Sequence, residues 1–319
     1  MLSLFYDPIY TTGIDPTARF PRERYRLLAE RLRGLDHIEL RQPRLARREE
    51  LVLAHDPSYV DAFLSNQLSP EAIRRIGLRP WTKDLIERTL RITGGSLQAL
   101  EHALSNQTIA GNMAGGTHHA YGNFGSGYCI FNDIAICSFA ALKHPDISRI
   151  LVLDLDVHQG DGTAAICSNE ERIFTCSIHA ESNFPFRKQQ SELDIHLDDE
   201  ISDADYLECL DRTMDKVGAK NFDLILYQAG VDPLAEDALG NLSLSRACLN
   251  ERNIRVFELY RRYGIPIVVF MGGGYAKQIE TSVDAFQDLF TSAASYTNQP
   301  DRLKHCFIQR SRIASEHEA

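Results

Sequence analysis

The sequence predicts a single α/β domain with a central, mainly parallel β-sheet flanked by helices on both faces, and three observations carry that expectation. Short runs rich in Ile, Val and Leu recur along the 319 residues, and stretches with helical spacing separate them. No Pro-, Gly- or Ser-rich linker and no long internal repeat interrupts the series. Continuously apolar strands suit a sheet buried on both faces, and helices are the usual connections between parallel strands.

The elements follow in order. A helix is expected over Leu85 to Leu104, then a strand at Thr108 to Ala110 and a helix over Ile134 to Leu142. Strands at Ile150 to Leu155 and Ile173 to Ile178 come next, followed by a helix over Tyr206 to Val217 and a strand at Leu224 to Tyr227. A helix over Leu249 to Tyr263, a strand at Ile265 to Phe270 and a helix over Ser282 to Phe290 complete the series. One domain over residues 1–290 is the expected unit, with 291–319 a polar tail, packed on the domain or frayed.

Composition narrows the function. Hydrophobic residues make up 44% and charged residues 24%, which excludes a disordered or fibrous chain. Lys and Arg number 34 against 44 Asp and Glu, and this acidic balance argues against direct nucleic-acid binding. The cysteines at 129, 137, 167, 176, 209, 248 and 306 form no C-x-x-C pair and read as reduced, mostly buried thiols. Met1 to Tyr10 lacks the basic and apolar regions of a signal peptide. The longest apolar runs, Ile134 to Leu142 and Ile265 to Met271, fall short of the ~18 residues of a membrane span. A cytoplasmic chain without a membrane partner is therefore expected. Ten Arg between 19 and 48 and nine acids between 192 and 211 read either as docking surfaces or as solvated faces.

Four segments carry chemistry. In Ile150 to Gly162 a buried strand runs into Asp154, Asp156, His158 and Asp161; alternation along an extended chain puts Asp154, Asp156 and His158 on one face, where open α/β sheets bind ligands. A carboxylate and an imidazole so spaced make half of a metal site, and Gly160 and Gly162 let Asp161 turn back towards it. Gly115-Gly116-Thr117-His118-His119 offers two imidazoles, with Asp154 and Asp161 as partners; a His oriented by a carboxylate is a tuned acid or base. Leu226 to Pro233 ends a strand on Asp232, which offers a third ligand, while Asp237 reads equally as a supporting carboxylate or a turn acid. Ile267 to Tyr275 ends on three glycines that present Tyr275, either as an oxyanion donor or as part of an ordinary Gly-rich turn.

Together these segments, with Gly127-Tyr128-Cys129-Ile130-Phe131-Asn132-Asp133, closely resemble the zinc-dependent histone deacetylase superfamily from about Phe5 to Phe290. The segments Phe20 to Tyr25, Ile76 to Leu78 and Ala229 to Pro233 look most like its compact bacterial class IV-type members. The resemblance implies the arginase/deacetylase fold, with a catalytic domain at 1–290. It implies zinc ligands Asp156, His158 and Asp232, with Fe2+ or Co2+ as possible substitutes. It also implies His118 paired to Asp154, His119 paired to Asp161 as main base and acid, and Tyr275 polarising the carbonyl. An acyl-lysine tunnel lined by Gly127, Tyr128, Phe184 and Gly273 is implied too, although Tyr128 and Phe184 read equally as packing residues. A potassium ion would be held by Asp154, Asp156, His158, Ser177 and Ile178.

The expected activity is removal of an acyl group from the ε-amine of lysine in a peptide or protein. Tyr128 departs from the family's usual Phe, and Leu78-Arg79-Pro80-Trp81 stands where class I members carry an acidic substrate-gripping residue. Deacylation of small acylated amines such as acetylpolyamines is the alternative, and a catalytically silent scaffold is the reading from another class. An arginase-like two-manganese site lacks its bridging acid, because Gly160 stands in that position.

Overall fold

A computed structural model describes residues 1–297. The first half of the chain forms β1 (Leu2–Phe5), α1 (Ile9–Thr12), α2 (Glu23–Leu32), β2 (Ile38–Arg41), α3 (Arg48–Leu51), α4 (Pro57–Leu64), α5 (Pro70–Ile76), α6 (Asp84–Asn106), β3 (Ile109–Asn112) and α7 (Asp133–Ala141). The second half forms β4 (Ile150–Asp154), α8 (Asp161–Cys167), β5 (Ile173–Ala180), β6 (Leu193–Leu197), α9 (Asp203–Val217), β7 (Leu224–Gln228), α10 (Arg246–Tyr263), β8 (Ile267–Phe270) and α11 (Ile279–Thr297).

The strands make one sheet of eight in the order β2-β1-β3-β8-β7-β4-β5-β6. Every pair is parallel, as the alternation of strands and helices predicts. Central strands such as Ile150-Leu151-Val152-Leu153 in β4 and Leu224-Ile225-Leu226-Tyr227 in β7 are buried throughout, because both of their faces are covered. Neighbouring residues of β3 show the two layers. Asn112 donates to the Ile92 carbonyl and Ser96 Oγ of α6, while Gly111 faces Phe290 of α11, where a Cβ would make a tight contact at 3.3 Å.

Sequence reasoning missed β1, β2 and β6. The strands β2 (Ile-Glu-Leu-Arg) and β6 (Leu-Asp-Ile-His-Leu) lie at the sheet's two edges, so they alternate with polar residues instead of running apolar. Good stop signals set the long helices: Ser202 and Ser245 cap the starts of α9 and α10, and left-handed Gly218 and Gly264 end them.

The acidic stretch 192–211 spans β6 and the start of α9, where Asp194 accepts from Gln159 and Ser191 and Asp203 from Ser245. Helix α11 continues through Thr297 with Ala293 and Ala294 buried, so helix occupies the first positions assigned to the tail. The rest of the expected tail and Cys306 lie outside the described residues. The six described cysteines are free, and all but Cys209 are buried. Among the described residues no helix is long and apolar enough to cross a membrane.

Candidate active site

The carboxyl ends of β3, β4, β7 and β8 meet in the middle of the sheet, where the four chemical segments converge. Past Asp154 the chain leaves β4 and presents Asp156 and His158; Asp232 arrives from the end of β7. All three are buried, and their ligand atoms lie within 4.8 Å of one another. His158 Nδ1 faces Asp156 Oδ1 at 3.1 Å and Asp232 Oδ2 at 3.2 Å. The carboxylates are aimed from behind: Val157 N–H donates to Asp232 Oδ1 at 3.0 Å and Gly273 N–H to Asp156 Oδ2 at 2.8 Å.

Two glycines make room for this arrangement. A Cβ on Gly230 would sit 2.1 Å from Asp156 Oδ2, and one on Gly273 would sit 1.9 Å from Asp232 Oδ2. Burial and the Asp156 charge push Asp232 up to about 7. Burial disfavours the His158 cation, but the two carboxylates outweigh it and hold that ring up to about 10. Buried carboxylates so close together call for a compensating cation. Two carboxylates and an imidazole fit a zinc-class divalent ion with a position left for water or substrate.

The histidine pair follows β3 through Gly115 and Gly116, both at positive φ. Asp133, at the start of α7, accepts from Thr117 N–H at 2.9 Å and Ser96 Oγ at 2.5 Å and so pins this turn. His118 Nδ1–H then donates to Asp154 Oδ2 at 2.7 Å, and His119 Nδ1–H to Asp161 Oδ1 at 2.6 Å. Each imidazole thereby keeps Nε2 for chemistry. Burial works against both cations, but Asp154 and Asp156 raise His118 to about 9. His119 falls to about 4 through burial and the neighbouring His118. Groups pushed apart in this way take opposite protonation roles.

Two residues that sequence reasoning did not single out support the pair. Asn132, the cap of α7, donates to the Ala120 carbonyl at 3.1 Å and the His118 carbonyl at 3.3 Å. Asn132 N–H in turn donates to His55 Nε2 at 2.8 Å, and the His55 Nδ1–H donates to the Tyr121 carbonyl at 3.0 Å. A lone His55 inside Ala54-His55-Asp56 carries no motif, so no local signal marks it.

Tyr275 is held from both sides of its backbone. Asp237 Oδ2 accepts from Tyr275 N–H at 2.6 Å while Oδ1 accepts from Leu239 and Gly240 N–H, so Asp237 is both a turn acid and a support for Tyr275. Arg24 of α2 donates to the Gly274 carbonyl at 2.7 Å and the Gly272 carbonyl at 3.1 Å. Its guanidinium also lies 5.5 Å from the Tyr275 ring centre. This arginine of the basic block is only 2% exposed, so the expectation of a solvated or docking face fails for it.

The predicted tunnel residues Gly127, Tyr128, Phe184 and Gly273 line one cleft of about 1120 Å³ together with the histidine pair, Asp156, His158, Asp232 and Tyr275. The Phe184 ring stands 4.9 Å from that of His119 at a steep angle, and a Cβ on Gly127 would meet His119 Cδ2 at 2.6 Å. Tyr128 adopts φ of 65° and packs its ring against Phe20 and Tyr275. Ser177 lies in register with Asp154 on the neighbouring strand, and both it and Ile178 are buried.

Comparison with known proteins matches the sequence to a family. Residues 18–289 match the histone deacetylase domain. The chain is 41% identical over 282 residues to an uncharacterized protein of Picosynechococcus sp., covering 87% of this chain and 93% of that protein. It is 32% identical over 257 residues to the acetoin utilization protein AcuC of Staphylococcus aureus, covering 73% of this chain and 66% of AcuC. Against histone deacetylase 2 of Arabidopsis thaliana it is 28% identical over 261 residues, with 76% of this chain and 65% of that one covered. The alignments thus span about two thirds of the latter two proteins. With its parallel α/β sheet of the arginase/deacetylase type and a domain match running across most of its length, the chain belongs to the histone deacetylase family of hydrolases.

Proposed function

We propose that the chain is a metal-dependent amidohydrolase that removes an acyl group, acetyl or longer, from the ε-amine of lysine. One observation carries this reading: a three-ligand metal site, a carboxylate-oriented imidazole and a tyrosine converge in the same cleft. Asp156, His158 and Asp232 would hold the ion, zinc by their chemistry, with Fe2+ or Co2+ able to replace it. When bound, such an ion supplies Lewis acidity, polarising the amide carbonyl and making water a better nucleophile at neutral pH.

The remaining work falls to the chain's own residues. His119 Nε2 takes a proton from the attacking water while Asp161 holds Nδ1–H and steadies the imidazolium. The Tyr275 hydroxyl donates to the carbonyl oxygen as it becomes an oxyanion. The imidazolium then returns its proton to the departing amine as the C–N bond breaks, leaving a carboxylate and a free lysine. His118, paired with Asp154, adds positive charge beside the reacting carbonyl. A potassium ion beside Asp154, Asp156, His158, Ser177 and Ile178 would brace the turn that aims two of the metal ligands.

The test is hydrolysis of matched lysine peptides carrying acetyl, octanoyl or myristoyl groups, with and without a zinc chelator. Chelator-sensitive release of at least one acyl group is expected. Metal-loaded protein that ignores all three peptides but cleaves an acetylpolyamine would replace lysine with a small acylated amine as substrate. Loss of no activity on complete removal of metal would overturn the mechanism.

A further inference from the structure

A second group of metal-ligating side chains lies outside the catalytic cleft. His179 and Glu181 stand two positions apart at the end of β5, so they project from the same side of the chain. His196 of β6 is in direct register with His179, and in a parallel pair registered residues share a face. The ladder continues past the strand's end, since Glu181 N–H donates to the Leu197 carbonyl at 3.0 Å. Backbone pairing alone therefore gathers the three side chains.

Their atoms converge as ligands do. His196 Nδ1 lies 3.1 Å from His179 Nε2 and 2.5 Å from Glu181 Oε2. A ring nitrogen has one in-plane position, either a proton or a lone pair, and cannot satisfy both partners at once. The cleft offers a parallel, where His158 Nδ1 also faces two prospective ligand atoms, there carboxylate oxygens at 3.1 and 3.2 Å. A cation at the common point would satisfy all three atoms. His179 Nδ1 lies 2.9 Å from Ser177 Oγ, and the tautomer that donates from Nδ1 to this hydroxyl leaves the Nε2 lone pair facing the cluster.

We propose that His179, Glu181 and His196 form a second metal site that takes a zinc-class divalent cation, with water completing its coordination. Two imidazoles and one carboxylate suit that ion better than Mg2+ or Ca2+, which prefer oxygen ligands. Glu181 and His196 are exposed while His179 is fully buried, so the ion would sit at the surface with one anchored ligand. It would tie the edge strand β6 to β5. It would also fix the first residue of the loop that carries Asn183 and Phe184 into the cleft, a loop that Lys188 folds back by donating to the carbonyls of Glu181, Asn183 and Pro185.

The experiment is zinc stoichiometry on tag-free protein, stripped with chelator, dialysed against buffered free Zn2+ and read by elemental analysis. Wild type should take two equivalents, the second more weakly. His196→Ala and Glu181→Gln, both at exposed positions of the surface, should each take one. Asp232→Asn should lose the tighter equivalent and keep the weaker, so a failure of the catalytic reading leaves this result distinct. A single equivalent in wild type at saturating zinc, or two equivalents retained in both surface variants, would overturn the proposal.

Discussion

Acid should weaken this fold through His55, and the size of the effect can be worked out. The ring is 4% exposed, donates from Nδ1 to the Tyr121 carbonyl and accepts at Nε2 from Asn132 N–H, so the neutral form is the one that fits. Burial lowers its pKa from 6.5 to about 4, with the Tyr121 and Gly122 carbonyls opposing only in part. The unfolded chain then binds this proton first. The stabilisation is present above the unfolded value and is lost as pH falls towards the folded one. Linkage puts the loss at about 2 kcal/mol from about pH 7 to about pH 5, and about 3 kcal/mol by about pH 4.

Other groups titrate in the same window, so the assay is a double difference. Urea unfolding of wild type and His55→Gln is compared across the range. An amide can donate to Tyr121 and accept from Asn132 without titrating. The substitution carries a pH-independent penalty of its own, but the gap between the two curves should narrow by about 2 kcal/mol between about pH 7 and about pH 5. Parallel curves would refute the assignment. Because Asn132 also carries the His118 and Ala120 carbonyls, the same protonation should loosen the catalytic loop before the whole chain unfolds.

Three further outcomes are expected. Tyr275→Phe should lower turnover by ~10²-fold or more with folding intact, and an unchanged rate would remove the hydroxyl from the chemistry. Arg24→Met should cut kcat by about tenfold or more with little change in KM, since it frees the Gly272 and Gly274 carbonyls that aim Tyr275 without touching substrate; a change in KM alone would contradict this positioning role. Gly273→Ala places a methyl 1.9 Å from Asp232 Oδ2 and 2.8 Å from Asp156 Oδ2. Zinc affinity in that variant should fall by about 10- to 100-fold in competition with a chelating dye, and unchanged affinity would argue against the ligand set.

What could be read from the chain beforehand followed from where the information is local. Buried parallel strands announce themselves as apolar runs, and the proposed ligands Asp156 and His158 sit just after one of them, so the segment from Ile150 to Gly162 marked both a central strand and the cleft at its end. The edge strands β2 and β6 did not, because one-sided burial lets Glu39 and His196 interrupt the apolar pattern. Arg24 looked like one charge among ten; only tertiary packing of α2 on the turn after β8 buries it. His55 and Asn132 act through hydrogen bonds between distant segments, and the second cluster arises from the β5–β6 register, which no spacing within one strand encodes.

The strand order carries a consequence for how the protein is made. Among the strands, β8 is the last to leave the ribosome, yet it lies between β3 and β7. Without it, β2, β1 and β3 would make one patch of sheet and β7, β4, β5 and β6 another, with no strand to join them. The proposed metal ligands belong wholly to the second patch, while His118 and His119 follow the first. The order therefore allows Asp156, His158 and Asp232 to gather before the histidine pair, which needs Ile267 to Phe270 in the seam to come alongside them. On this strand order the complete cleft requires nearly the whole matched domain to have been translated.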